Sequence, residues 1–152
     1  MPIPRIRPSA LILSTSLNPA LHALDFFCGI GGMSYGLAAA GVKVLGGIDI
    51  DGSCRETYET NVTGARFIET DVSAVEPGKL MRQLGVKKND DSLVLVGCSP
   101  CQFWSKINTD KTRSKKTAFL LCEFGKFIAA TSPGWVVVEN VPGILNKKGS
   151  AL

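Results

Sequence analysis

The stretch ALHALDFFCGIGG, residues 20–32, decides how the rest of the chain is read. An apolar run ends abruptly in a cluster of glycines, and MSYGLAAAG, residues 33–41, follows as a helix that Gly41 stops. A strand, a glycine turn and a helix in that order open a β-α unit. Gly29, Gly31 and Gly32 allow a tight turn and let a ligand approach the backbone closely. The spacing is G-x-G-G and not G-x-G-x-x-G, so a dinucleotide is not the expected ligand.

The same period continues outward. VKVLGGID, residues 42–49, reads as a second buried strand. DGSCRETYETN, residues 51–61, reads as a helix capped by Asp51. ARFIETD (65–71) predicts a third strand, EPGKLMRQLG (76–85) a short helix, and SLVLVG (92–97) a wholly apolar fourth strand. KKTAFLLCEFGKFIAATS (115–132) spaces Phe119, Leu120, Cys122, Phe124, Phe127 and Ile128 as a helix does, and GWVVVEN (134–140) predicts a fifth strand. Strands alternating with helices over short connections predict an α/β fold with a doubly wound, mostly parallel sheet. Such sheets bind ligands at the carboxyl ends of their strands. Cys28, the glycines, Asp49, Asp71, residues 97–105, Glu139 and Asn140 all fall there. Asp49, twenty residues after Gly29, stands where a carboxylate grips ribose hydroxyls, and Asp71 is either a third point on that rim or a helix cap.

The 152 residues are 45% hydrophobic and 20% charged, an ordinary composition for one globular domain. The net charge of +4 permits a nucleic-acid partner without requiring one. Five irregularly spaced cysteines predict free thiols and a cytoplasmic setting, nucleoid-associated in a bacterium. No apolar run reaches 18 residues, which excludes a helical membrane span. Residues 1–20 carry Arg5 and Arg7, no acidic residue and a broken apolar patch, and predict a disordered leader before a domain over 21–152.

GCSPCQFWS, residues 97–105, admits three chemistries. A structural zinc site needs four ligands, and Cys28, Cys54, Cys122 and His22 form no second pair to complete one, so no metal is expected. A redox pair normally starts a helix, whereas KINTDKTRSKK, residues 106–116, reads as a polar loop. The third option is a nucleophile. Pro100 stiffens the backbone before Cys101, and the lysines and arginine that follow favour a thiolate or contact phosphates. Glu139, at the end of a buried strand, is expected to be poorly solvated and suited to proton donation.

Taken in order, DFFCGIGG, DID, ETD, GCSPCQFWS and VVVENVPG resemble the catalytic domain of the DNA (cytosine-5) methyltransferases, over about Ala23 to Leu145. The resemblance implies a Rossmann-like fold and S-adenosylmethionine as cofactor. By position it implies that Phe27, Gly29 and Gly32 line the methionine part, Asp49 the ribose and Ile50 the adenine face. Asp71 and Val72 would hold the adenine edge, with Pro100 near the cofactor. Cys101 matches the nucleophile and Glu139 the active-site acid, while Gln102, Ser105, Lys106 and Asn140 match the DNA-facing positions. Cys98 has no implied role beyond a small apolar filler. The implied partner is double-stranded DNA with a flipped cytosine.

Family members continue well past the Glu-Asn-Val segment, so the sequence ending at Leu152 is expected to be truncated after the fifth strand. It then reads as a fragment or as one subunit of a split enzyme completed by a second chain. The alternatives are a cofactor-binding but inactive remnant, or an RNA cytosine-5 methyltransferase of the same fold. The fifth strand is expected to be an uncovered apolar edge.

Overall fold

The computed structural model describes residues 20–99 and 111–140, the side chains of 111–118 excepted. Five strands run β1 (His22–Phe26), β2 (Lys43–Asp49), β3 (Arg66–Glu69), β4 (Leu93–Gly97) and β5 (Trp135–Val138). They form one all-parallel sheet in the order β3-β2-β1-β4-β5, reversing direction of travel between β1 and β4. That reversal is the switch point at which open α/β sheets bind ligands.

Side-chain alternation along β1 sorts the two layers. Leu24 and Phe26 join Leu93 and Leu95 beneath α3 (Pro77–Gln83) and α4 (Lys111–Thr131), where Leu80, Met81, Phe124 and Phe127 close the core. Phe26 lies 5.0 and 4.8 Å from the rings of Phe124 and Phe127. Ala23 and Asp25 point to the opposite face, covered by α1 (Gly32–Ala39) and α2 (Arg55–Asn61). At the amino-terminal edge, Asp90 accepts from the Ser92 amide and hydroxyl and pairs with His22 at 3.1 Å, fastening β1 to β4.

Three expectations are corrected. The run 51–61 is not one helix: Asp51 caps a 3-10 turn, Gly52–Cys54, through the Ser53 amide, and α2 starts only at Arg55. The run 106–116 is not loop throughout, because α4 is helical from Lys111. Lysine and arginine are good helix formers, so a run of them does not by itself mark a loop. Within α4, Phe124 and Phe127 are core residues, while Phe119 and Cys122 face solvent. Lys126 instead sits 5.8 Å over the Phe119 ring.

β5 is an edge strand with Trp135 through Val138 all exposed, by 41 to 60%. The expectation of an uncovered apolar edge holds among the described residues.

Candidate cofactor and catalytic site

The turn after β1 is held by three backbone conformations and one carboxylate. Phe27, Gly29 and Gly31 have φ of 60°, 50° and 91°. The glycines adopt this without penalty, whereas Phe27 is held there by its surroundings. The amides of Phe27 and Cys28 both donate to the carbonyl of Ile48, at 2.8 and 3.2 Å. Asp49 completes the fastening: Oδ2 accepts from the Gly29 amide at 2.8 Å and Oδ1 from the Asp51 amide at 3.0 Å. Sequence spacing assigned Asp49 to this rim as a ribose ligand; what the structure shows is a staple of the turn. A carboxylate offers about four lone-pair sites, so each oxygen can still accept from a hydroxyl.

The rim has room for a cofactor. A Cβ added at Gly29 or Gly32 would meet nothing within 4 Å, so the turn opens outward there. Ile50, beside Asp49, is apolar and 67% exposed, as an adenine-packing side chain should be before it is covered. These residues fit S-adenosylmethionine. Val72 buries its side chain in the core with Leu80 and Met81, which leaves its backbone for the expected adenine-edge contact. Asp71 accepts from the Ser73 amide (2.8 Å) and hydroxyl (2.7 Å), capping a 3-10 turn, Val72–Ala74.

The ends of β4 and β5 meet alongside. Asn140 Nδ2 donates to the buried Ser99 Oγ at 3.1 Å, and the Glu139 amide donates to the Gly97 carbonyl at 3.3 Å. The structure thus brings Ser99, the last described residue of this segment, against Asn140. Cys98 packs against Ala23, Val94 and Val96, as a filler does. Pro100, Cys101, Gln102, Ser105 and Lys106 lie outside the described residues, as does the leader. The expectation that Glu139 is poorly solvated is overturned: it is exposed, because β5 lies at the sheet's edge. Among the described residues no group of three His, Cys, Asp or Glu side chains could hold a metal.

A buried polar chain beneath the turn was not anticipated. Ser34 Oγ donates to Asp25 Oδ2 at 2.7 Å and meets the Tyr58 hydroxyl at 2.9 Å, with all three residues fully buried. Asp25 Oδ1 has no partner among the described residues. The signal lay in ALDFF, a charged residue inside an otherwise apolar strand. Burial pushes the Asp25 carboxyl from 3.8 to about 6; the Ser34 hydrogen bonds oppose that, and Asp49 adds to it. Burial also pushes the Cys28 thiol up, with the Asp25 and Asp49 charges adding, so Cys28 is no thiolate at neutral pH.

Stability should follow this carboxyl. Its folded-state pKa lies above its unfolded value, so its contribution is full below pH 3.8 and lost as pH rises through about 6. Between pH 7 and pH 5 the chain is expected to gain about 1 kcal/mol. Urea melts of the wild type and Asp25→Asn at both pH values check this. An equal gain in the variant would assign the effect to another group.

A parallel sheet reversing at β1/β4, with a glycine turn stapled to an acidic residue at the end of β2, defines a Rossmann-like methyltransferase. The chain belongs to the C-5 cytosine-specific DNA methylase family, whose model matches residues 21–152. It is 40% identical over 121 residues to the type II methylase M.HgiDII of Herpetosiphon aurantiacus, covering 80% of this chain and 33% of that protein. It is 32% identical over 129 residues to M.DdeI of Desulfomicrobium norvegicum, covering 84% and 29%. The chain therefore spans about a third of the length of these relatives. Among solved structures, one described as a DNA modification methyltransferase from an E. coli prophage superposes with a TM-score of 0.70 at 27% identity. It covers 86% of this chain and 35% of that one. S. pombe Dnmt2 superposes at 0.63 with 23% identity, covering 86% and 39%, and shows the fold alone. S-adenosylmethionine is the cofactor of this family.

Proposed function

We propose that this chain supplies the cofactor-binding and nucleophile-bearing part of an enzyme that methylates C5 of cytosine in DNA. The observation that carries the reading is one rim shared by the stapled turn 27–32, the Asp49–Ile50 step and the Ser99–Asn140 junction. S-adenosylmethionine, when bound, supplies an electrophilic methyl group.

In this reading the Cys101 thiolate adds to C6 of the cytosine, which breaks aromaticity and makes C5 an enamine-like nucleophile. Glu139 hydrogen-bonds or protonates N3 and stabilises the charge that develops. After C5 is methylated, a base removes the C5 proton, the C5–C6 double bond re-forms and Cys101 leaves as thiolate. The target base must leave the duplex to reach Cys101. Gln102, Ser105, Lys106 and Asn140 are assigned to the DNA side. The exposure of Glu139 fits this role if bound DNA or further polypeptide covers it. The exposed apolar β5 supports such a neighbour, in this chain or in a second one carrying target recognition.

Calorimetric titration with S-adenosylmethionine tests the cofactor half. Asp49→Ala removes both a ribose acceptor and the staple on Gly29, and is expected to weaken binding about ten-fold or more. Equal affinities would mean the ribose is held elsewhere. Tritium transfer from labelled cofactor to duplex DNA, but not to transfer RNA, separates the DNA reading from an RNA-directed one.

A further inference from the structure

We propose that Tyr58 is a positioning residue for the cofactor: through Ser34 and Asp25 it locks the turn 27–32 in the shape that receives it. The inference rests on the cofactor reading of that rim. Tyr58 belongs to α2 and never reaches the rim itself, yet its fully buried ring fills the space beneath it. A Cβ at Gly31 would lie 2.8 Å from Tyr58 Cδ2. A Cβ at Gly47 would lie 2.5 Å from Cε2 and Cζ, and 2.6 Å from Cys28 Sγ. The ring is therefore wedged between the turn and β2, with Phe67 against its edge at 5.6 Å.

The hydroxyl fixes how far that wedge goes in. Ser34 has one proton, and at 2.7 Å from Asp25 Oδ2 it donates there, so the Tyr58 hydroxyl donates to Ser34 Oγ at 2.9 Å. The chain runs Tyr58 to Ser34 to Asp25, joining α2, α1 and β1 on either side of the turn. Packing alone does not call for this chain. A phenylalanine at 58 and an apolar residue at 25 would fill the same layer without burying a carboxylate. A buried acid whose Oδ1 finds no partner among the described residues is a poor choice for stability and a suitable one for function.

The carboxylate is also the natural complement to a cofactor of net positive charge. The groups facing Asp25 are Ser34, Tyr58, Cys28 and Asp49, with Cys54 beyond Cys28. Burial raises the Cys28 thiol and the Tyr58 hydroxyl well above neutral pH, so neither ionises between pH 5 and 8. Protonating Asp25 weakens it as an acceptor for Ser34 and removes its charge. Acidification should therefore loosen cofactor binding while it stabilises the free chain. A purely structural residue would move both in the same direction.

The test uses the full chain and two readouts. Amide hydrogen exchange at Cys28, Gly29 and Gly31 is expected to speed up about five-fold or more in Tyr58→Phe and Ser34→Ala, with Leu95 and Val96 of β4 changing less. Calorimetry with S-adenosylmethionine is expected to show wild-type affinity falling several-fold from pH 7 to 5, a step absent in Asp25→Asn, and weaker binding by Tyr58→Phe at pH 7. Unchanged turn exchange in both hydroxyl variants overturns the proposal. So does faster exchange with cofactor affinity equal to wild type. Failure of the wild type to bind cofactor at any pH would be a different result, overturning the cofactor reading of the rim and the proposal with it.

Discussion

If the proposed function holds, Cys101→Ser is expected to abolish covalent trapping of duplex DNA carrying 5-fluorocytosine in an active enzyme assembled with this chain, while Cys98→Ala keeps it. Trapping works because fluorine at C5 cannot leave as a proton does, so the enzyme stays bonded to C6. Only a group that adds to C6 can be trapped, and a serine hydroxyl is far less nucleophilic than a thiolate. The loss should therefore be complete on a gel. Cys98 is a poor rival. It packs against Ala23, Val94 and Val96, and its amide is bonded to the Phe26 carbonyl at 3.3 Å. Trapping by Cys101→Ser but not by Cys98→Ala would reverse the assignment.

Gly47→Ala should be among the most damaging single-methyl changes in the chain. The new Cβ would stand 2.5 Å from two atoms of the Tyr58 ring and 2.6 Å from Cys28 Sγ. Both neighbours are buried and hemmed in, so neither can swing away. Overpacking of this kind costs about 3 kcal/mol, which lowers Tm by roughly 10 °C in a domain of this size. Tyr58→Leu in the same chain should recover part of the loss, since it vacates the space the methyl needs. A Gly47→Ala variant melting with the wild type would show that the layer between β2 and α2 is looser than these distances indicate.

The architecture was legible because the strands carry unambiguous patterns. LVLVG, residues 93–97, carries no polar side chain, and β4 is buried at every position. The glycine turn was legible because a strand that runs into clustered glycines must turn tightly, and Gly29 and Gly31 do take a φ above zero. Three features were hidden. Asp25 accepts from Ser34, nine positions away, and Ser34 meets Tyr58 a further 24 along, a relation no local pattern encodes. The resemblance assigns Val72 to the adenine edge, and no pattern foretold that a 3-10 turn directs its side chain into the core. Solvation of Glu139 depends on what lies against β5, which the local pattern of residues 134–140 does not encode.

Strand order also sets a timetable for synthesis. Among the described strands β1 is the first to leave the ribosome, and it ends in the centre of the sheet. It can pair with β2 at once, but its other edge waits for β4, where Ser92 follows His22 by 70 residues. At about 5–20 residues per second that interval lasts roughly 4–14 s. Throughout it Leu24 and Phe26 lack the Leu93, Leu95, Phe124 and Phe127 side chains that later cover them. The nascent chain therefore spends seconds presenting a half-built apolar edge, long enough for products of neighbouring ribosomes on one message to cross-pair.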